Sequence, residues 1–206
     1  MNFHFTTTTG GMWPTTSAGF VPSTEEERKE LIDSLQENKT NIYKRMVSEM
    51  AKPRPGVIEL MDEALQDPKI AVGVCSASTK AAVTKVLDVT LGQDRRNKLN
   101  VCILGDDVAK LKPDPLIYLT AAERLNIDPK RCVVVEDSIV GLKAAKGAGM
   151  KCLITYTSST EREDFYAFGA DAKVPDLGSR YVTLNDIFGP MKEKGEDSEI
   201  LVGKKD

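Results

Sequence analysis

The chain has 206 residues, a formal net charge of −3, 41% hydrophobic and 29% charged residues. That is the make-up of a soluble globular domain with a small appendage at most, and it offers no broad basic face, which excludes nucleic acid as a partner. No apolar run approaches the roughly 20 residues that span a bilayer, and the first residues, MNFHFTTTTGGMWP, carry neither the charge nor the apolar core of a signal or transit peptide.

Residues 1–22 are rich in Thr, Gly and Pro and predict irregular structure. Pro22-Ser23-Thr24 then opens a long helix, with Glu26 and Glu27 placed to complete a capping box from Ser23 or Thr24. Leu31, Ile32, Leu35, Ile42, Tyr43, Met46, Val47 and Met50 follow at helical spacing. Pro53 and Pro55 end the helix, and the polar stretch 36–40 leaves room for a kink or a break. From Gly56 the pattern turns regular: a helix near 56–66, a strand over 70–75, a helix over 78–91 and a strand over 101–104. A helix after Pro115, a strand over 132–136, a helix from Ser138 capped by Gly149 and a strand over 152–156 come next. A weak strand at 172–174 and a short helix at 184–188 close the pattern, and the charged tail from Gly189 predicts disorder. Short apolar runs alternating with amphipathic helices imply an α/β fold: a parallel sheet with helices on both faces.

Cys75, Cys102, Cys132 and Cys152 each sit in or beside a different apolar run, which predicts buried free thiols and a reducing compartment. The single histidine, His4, lies in the irregular stretch and receives no catalytic role, so no Ser/His or Cys/His nucleophile system can be built within the chain.

In parallel sheets ligands bind beyond the carboxyl ends of the strands. The residues there are Ser76-Ala77-Ser78-Thr79, then Gly105-Asp106-Asp107 and Lys112-Pro113-Asp114-Pro115, then Glu136-Asp137-Ser138, and lastly Thr157-Ser158-Ser159-Thr160. A hydroxyl and backbone amides at a helix start, from Ser76, Ala77 and Ser78, can hold phosphate oxygens. Lys112 adds a positive charge, and Glu136 with Asp137 presents hard oxygen ligands suited to Mg²⁺. Taken singly, Ser76 or Ser78 is an ordinary helix cap, Lys112 a surface lysine, Asp114 a turn residue, Glu136-Asp137 a solvated pair, and Asp106 and Asp107 loop residues. Their order at successive strand ends is what suggests a site for phosphoryl chemistry.

Ser76 after VGVC, the lysine of KPDP (Lys112) and the acids of VVVEDSIVGLKAAKGAG (Glu136, Asp137) resemble motifs II, III and IV of the haloacid-dehalogenase superfamily. PRPGV, CSAST and ITYTSST bring the resemblance closest to the CbbY and beta-phosphoglucomutase-like sugar phosphatases, in their plastid forms of plants and algae. The resemblance covers residues 23–188. It implies a Rossmannoid core over 53–189, a partial helical cap over 1–52 and a tail over 190–206. It further implies Mg²⁺ as cofactor, a small phosphorylated sugar as substrate, a plastid location, and catalytic roles for Ser76 and Lys112.

The family's nucleophile and acid/base come from a DxD motif on a central strand, flanked by the strands of IAVGVC and CVVVE. No DxD occurs in this sequence. The expectation is therefore a chain that begins inside the cap, holds phosphate, binds magnesium weakly, turns over little substrate, and has either a closed-up or a split sheet. A non-catalytic phosphate-binding or regulatory protein is the rival. A receiver-type signalling domain is disfavoured by the order hydroxyl, lysine, acids, and a metal-free dehalogenase by Glu136-Asp137.

Overall fold

The computed structural model describes residues 22–189. Contacts divide the chain into two compact units, residues 1–46 and 47–206. Helix α1, Glu25–Met50, is the expected long helix and runs without a break through the polar stretch that left room for one. That stretch holds no proline or glycine, so nothing interrupts the bond ladder. The start follows the capping expectation with Thr24 and Glu27 as the pair: Glu27 N–H donates to Thr24 Oγ1 and Thr24 N–H to Glu27 Oε2, both at 3.1 Å.

The remaining elements follow the expected alternation, with one helix, α4, that the sequence pattern did not give. They are α2 (Val57–Gln66), β1 (Gly73–Cys75), α3 (Lys80–Thr90), α4 (Gly92–Asn97), β2 (Val101–Ile103) and α5 (Leu116–Leu125). After them come β3 (Val133–Glu136), α6 (Ile139–Gly147), β4 (Lys151–Thr155), β5 (Ala172–Val174) and α7 (Leu184–Phe188). Ser138 caps α6 by accepting from Gly141 N–H, and Gly149 beyond its end takes the left-handed conformation with φ 74°. The tail from Pro190 and the first 21 residues lie outside the described residues.

Among the described residues strand pairing is parallel throughout and falls into two sheets. β1 pairs with β2, and β3-β4-β5 form a separate three-stranded sheet. Of the two sheet arrangements expected, the described residues show the split one. β1 is also shorter than the run IAVGVC suggests: Val72 N–H turns to the Asn100 side chain at 2.8 Å, and pairing begins only at Gly73.

Helices cover both faces. Along β4, Cys152 and Ile154 point into one core with Ile103, Ile117, Leu142 and Phe165. Leu153, facing the opposite way as the strand's two-residue period requires, joins Ala172, Val174, Leu177 and Val182 in a second core beneath Val57, Leu60 and Ile187. The four cysteines are free thiols, as expected; Cys152 is fully buried and the other three partly so. Burial pushes the Cys75 thiol up to about 11 and that of Cys152 up to about 12, so neither is a thiolate nucleophile near neutrality.

Arg54, between α1 and α2, clasps the carboxyl ends of β4 and β5. Its guanidinium donates to Thr155 O at 2.7 Å, Thr155 Oγ1 at 3.0 Å, Tyr156 O at 2.6 Å and Pro175 O at 2.7 Å. Charge-assisted bonds contribute roughly 1.5–3 kcal/mol each and are not additive. Arg54→Ala is expected to lower unfolding free energy by about 3 kcal/mol in urea titrations. Arg54→Lys should recover little of it, because an ammonium cannot reproduce the planar fork.

Candidate functional site

The carboxyl ends of β1 and β3 and the loop entering α5 meet at Lys112. Its ammonium donates to the Cys75 carbonyl at 3.2 Å, the Tyr118 hydroxyl at 2.8 Å and Glu136 Oε1 at 2.5 Å. Three acceptors use the three hydrogens an ammonium carries. Tyr118 Oη in turn donates to the same Glu136 oxygen at 2.5 Å. The Lys112 and Glu136 side chains are 12% and 10% exposed, so these charge-assisted bonds act in a medium far less polar than water. Burial, and then the Glu136 charge, push the Tyr118 hydroxyl far above the usual phenol range. It therefore stays protonated and serves as a donor.

Glu136 reaches this position because α6 begins without a side chain in its way. A Cβ at Gly141 would overlap the Glu136 carboxyl group. Its second oxygen, Oε2, lies 3.3 Å from Asp137 N and 3.4 Å from Ser138 Oγ.

The loop after β1 folds over the strand end. Ser76 N–H donates to Ile103 O at 3.0 Å, and Ser76 Oγ accepts from Ser78 N–H at 3.2 Å. Ala77 and Ser78 are exposed. Gly105 lets the β2 loop approach from the other side, since a Cβ there would strike the Ala77 carbonyl, and its N–H donates to Ser78 O at 3.0 Å. Asp106 accepts from Lys80 N–H at 2.9 Å in the first turn of α3, and Asp107 from Leu104 N–H at 2.8 Å. Asp114 caps Leu116 N–H at 3.0 Å. All three acids work as turn and cap residues, the plainer of the roles open to them.

Of the residues singled out in the sequence, the structure brings Lys112, Glu136 and the Cys75–Ser76 strand end into one cluster. The Ser78 amide donates to Ser76 Oγ at 3.2 Å, beside the exposed Ser78 side chain. Asp137 is exposed beside the cluster, while its neighbour Glu136 turns inward to the ammonium. The described residues contain no group of three His, Cys, Asp or Glu placed to hold a metal ion. Two carboxylates, one of them already bound to the Lys112 ammonium, fall short of the six oxygens Mg²⁺ prefers. The Thr157 hydroxyl lies 2.8 Å from Ser159 Oγ and 3.2 Å from Thr160 Oγ1. Tyr118, Gly141 and Gly105 carry parts of the arrangement that reading strand ends alone did not find. Tyr118 sits on α5, six residues past Lys112, where it resembles an ordinary apolar helix position.

A parallel α/β core with its polar chemistry gathered at the carboxyl ends of the strands defines a doubly wound, Rossmann-like protein. The chain belongs to the haloacid dehalogenase-like hydrolases, whose family profile matches residues 15–149. A haloacid dehalogenase-like hydrolase domain-containing protein of Arabidopsis thaliana is 47% identical over 177 residues, which is 85% of this chain and 54% of that protein. Protein CbbY of Rhodobacter capsulatus is 33% identical, over 72% of this chain and 64% of its own length. The crystal structure of a CbbY mutant from Rhodobacter sphaeroides in complex with xylulose-(1,5)bisphosphate superposes with a TM-score of 0.64 at 32% identity, covering 71% of this chain and 64% of that one. The chain thus spans about half to two thirds of the length of these relatives. No helix among the described residues is long and apolar enough to cross a membrane.

Removing one partner of a buried ion pair strands the other charge, at a cost of about 3–5 kcal/mol. Lys112→Ala is expected to lose roughly that much in urea unfolding followed by circular dichroism. Lys112→Met combined with Glu136→Gln should be at least half recovered, and equal losses in both variants would show that the pair is not coupled.

Proposed function

We propose that the chain forms the phosphate-holding part of a magnesium-dependent sugar-phosphate phosphohydrolase, with Ser76, Ala77, Ser78 and Lys112 as the residues that receive the phosphoryl group. The observation that carries this reading is the Lys112 ammonium, fixed 3.2 Å from the Cys75 carbonyl and thus one residue from the Ser76 hydroxyl. Phosphate entering at the end of β1 exchanges the longest of the three ammonium bonds, that to Cys75 O, and keeps the two that orient the lysine. The Ser76 hydroxyl, which accepts from Ser78 N–H, still has its own hydrogen to donate. The similarity to CbbY proteins supports a sugar phosphate as substrate, and free thiols and plant relatives support a reducing compartment such as the plastid stroma.

Glu136 and Asp137 are the carboxylates a magnesium ion would use, and the ion would neutralise charge on the phosphoryl oxygens. These donors are too few to fix its position. The cap reading of residues 1–52 belongs to the same proposal, with α1 as its helical part.

A second reading, a non-catalytic phosphate-binding protein, is favoured by one feature. Among the described residues, the carboxylates of Asp106, Asp107, Asp114 and Glu136 at the strand ends are each engaged by a backbone amide or by the Lys112 ammonium. Electrostatic help without a nucleophile accelerates hydrolysis little. Calorimetric titration with inorganic phosphate is expected to show weak saturable binding to the 206-residue chain, weakened tenfold or more in Ser76→Ala and in Lys112→Ala. Turnover of an aryl phosphate with Mg²⁺ should be negligible. Unchanged phosphate affinity in both variants would remove the site assignment, and brisk turnover would point to an unassigned nucleophile.

A further inference from the structure

The first turn of α5 reaches both strands that meet at the candidate site. Cys75 Sγ of β1 lies 3.9 Å from Ile117 O. The next residue, Tyr118, places its hydroxyl 2.5 Å from Glu136 Oε1 of β3 and 2.8 Å from Lys112 Nζ. The turn itself is anchored: Asp114 accepts from Leu116 N–H at 3.0 Å, and Ile117 and Tyr118 are buried in the core. The hydroxyl therefore cannot follow a movement of either charge, and the charges must come to it.

The hydrogens admit one arrangement. A phenol has one hydrogen to give, an ammonium has three, and an ionised carboxylate has none. Lys112 can only donate to the phenol, so the phenol's own hydrogen goes to Glu136 Oε1. Lys112, Tyr118 and Glu136 thus close a triangle that commits two of the ammonium hydrogens. The third is thereby aimed at Cys75 O, 3.2 Å away and one residue from Ser76. The aromatic ring adds attraction without direction: Nζ lies 4.6 Å from its centroid, and a ring face draws a cation however its hydrogens point. Phenylalanine would keep that pull and the packing, and lose only the direction. With three hydrogens and two fixed acceptors the ammonium turns between them, and Glu136 Oε1 loses one of its two donors. We propose that the Tyr118 hydroxyl is the positioning group of the candidate phosphate site: it fixes the rotation of the Lys112 ammonium so that one hydrogen faces the end of β1, where a phosphoryl oxygen takes it over from Cys75 O. The inference rests on the phosphate reading above and adds to it a residue that acts through Lys112.

The test compares the full 206-residue chain with its Tyr118→Phe variant, observing the Lys112 ammonium by NMR and titrating inorganic phosphate by calorimetry. In the unaltered chain a nuclear Overhauser contact between the ammonium and the Tyr118 hydroxyl hydrogen is expected, and its absence would overturn the proposal without recourse to any variant. In Tyr118→Phe the ammonium hydrogens should exchange with water roughly tenfold faster, and phosphate should bind about fivefold more weakly, the equivalent of one neutral hydrogen bond. Amide exchange of Leu142 and Ala145 in α6 should stay the same, which separates lost direction from lost packing. Equal ammonium exchange in the two proteins would overturn the proposal. So would faster exchange with unchanged phosphate affinity while Lys112→Ala still weakens binding, since the hydroxyl then steadies the ion pair and not the ligand site. Affinity unchanged in Lys112→Ala as well would remove the phosphate reading itself, and the proposal with it.

Discussion

One ammonium group holds together what the backbone leaves apart. β1 and β3 share no ladder hydrogen bonds, yet Lys112 bonds the carbonyl of Cys75 on one and the carboxylate of Glu136 on the other. A backbone acceptor at the end of one sheet and a charge at the end of the next are thereby fixed to the same nitrogen. The loop that carries Lys112 leads straight into α5, whose Ile117 and Tyr118 are buried in the core beneath both sheets. Apolar packing thus sets the lysine's height, and its three acceptors set its direction. Everything assigned to the candidate site, from the Ser76 loop to the inward turn of Glu136, is arranged around this bridge.

The elements were legible where burial dictates sequence. The runs around β2, β3 and β4 are apolar because each is covered by helices, and the alternation of Cys152, Leu153 and Ile154 between two cores shows why a continuous run was needed. α4 was not legible, since GQDRRN has no apolar face. It is held by side-chain pairs instead: Arg95 to Asp62 at 2.6 and 2.7 Å, and Arg96 to Asp88 at 2.9 Å. The polar stretch within α1 left its continuity open for a related reason. A polar helical segment exposed to solvent needs no hydrophobic signal to persist once it is flanked by helix on both sides.

The candidate site was legible in its charges and not in their partners. Ser76, Lys112 and Glu136 stand out because polar residues directly after apolar strands are conspicuous. Tyr118 does not, because its ring occupies a core position and only its hydroxyl joins the polar cluster, a division of one side chain between two environments that composition cannot reveal. Glycines 105 and 141 matter through the atom they lack, and that becomes meaningful only when the neighbouring chain is in place. The split between the sheets could not be read from periodicity either: each strand carries a normal strand pattern, whether or not its second edge is filled.

The approach of Glu136 to the first turn of α6 has a consequence for how the sequence can drift. Because a side chain at 141 and the full length of Glu136 contend for the same volume, a substitution at 141 requires the Glu136 carboxylate to move. An alanine at 141 becomes tolerable once the residue at 136 is shorter by a methylene and its carboxylate draws back toward the strand. Such a retreat would also loosen its hold on Lys112. A neutral-looking glycine five residues from the acid therefore sets which acid the strand end can carry, and through it the orientation of a lysine supplied by another element.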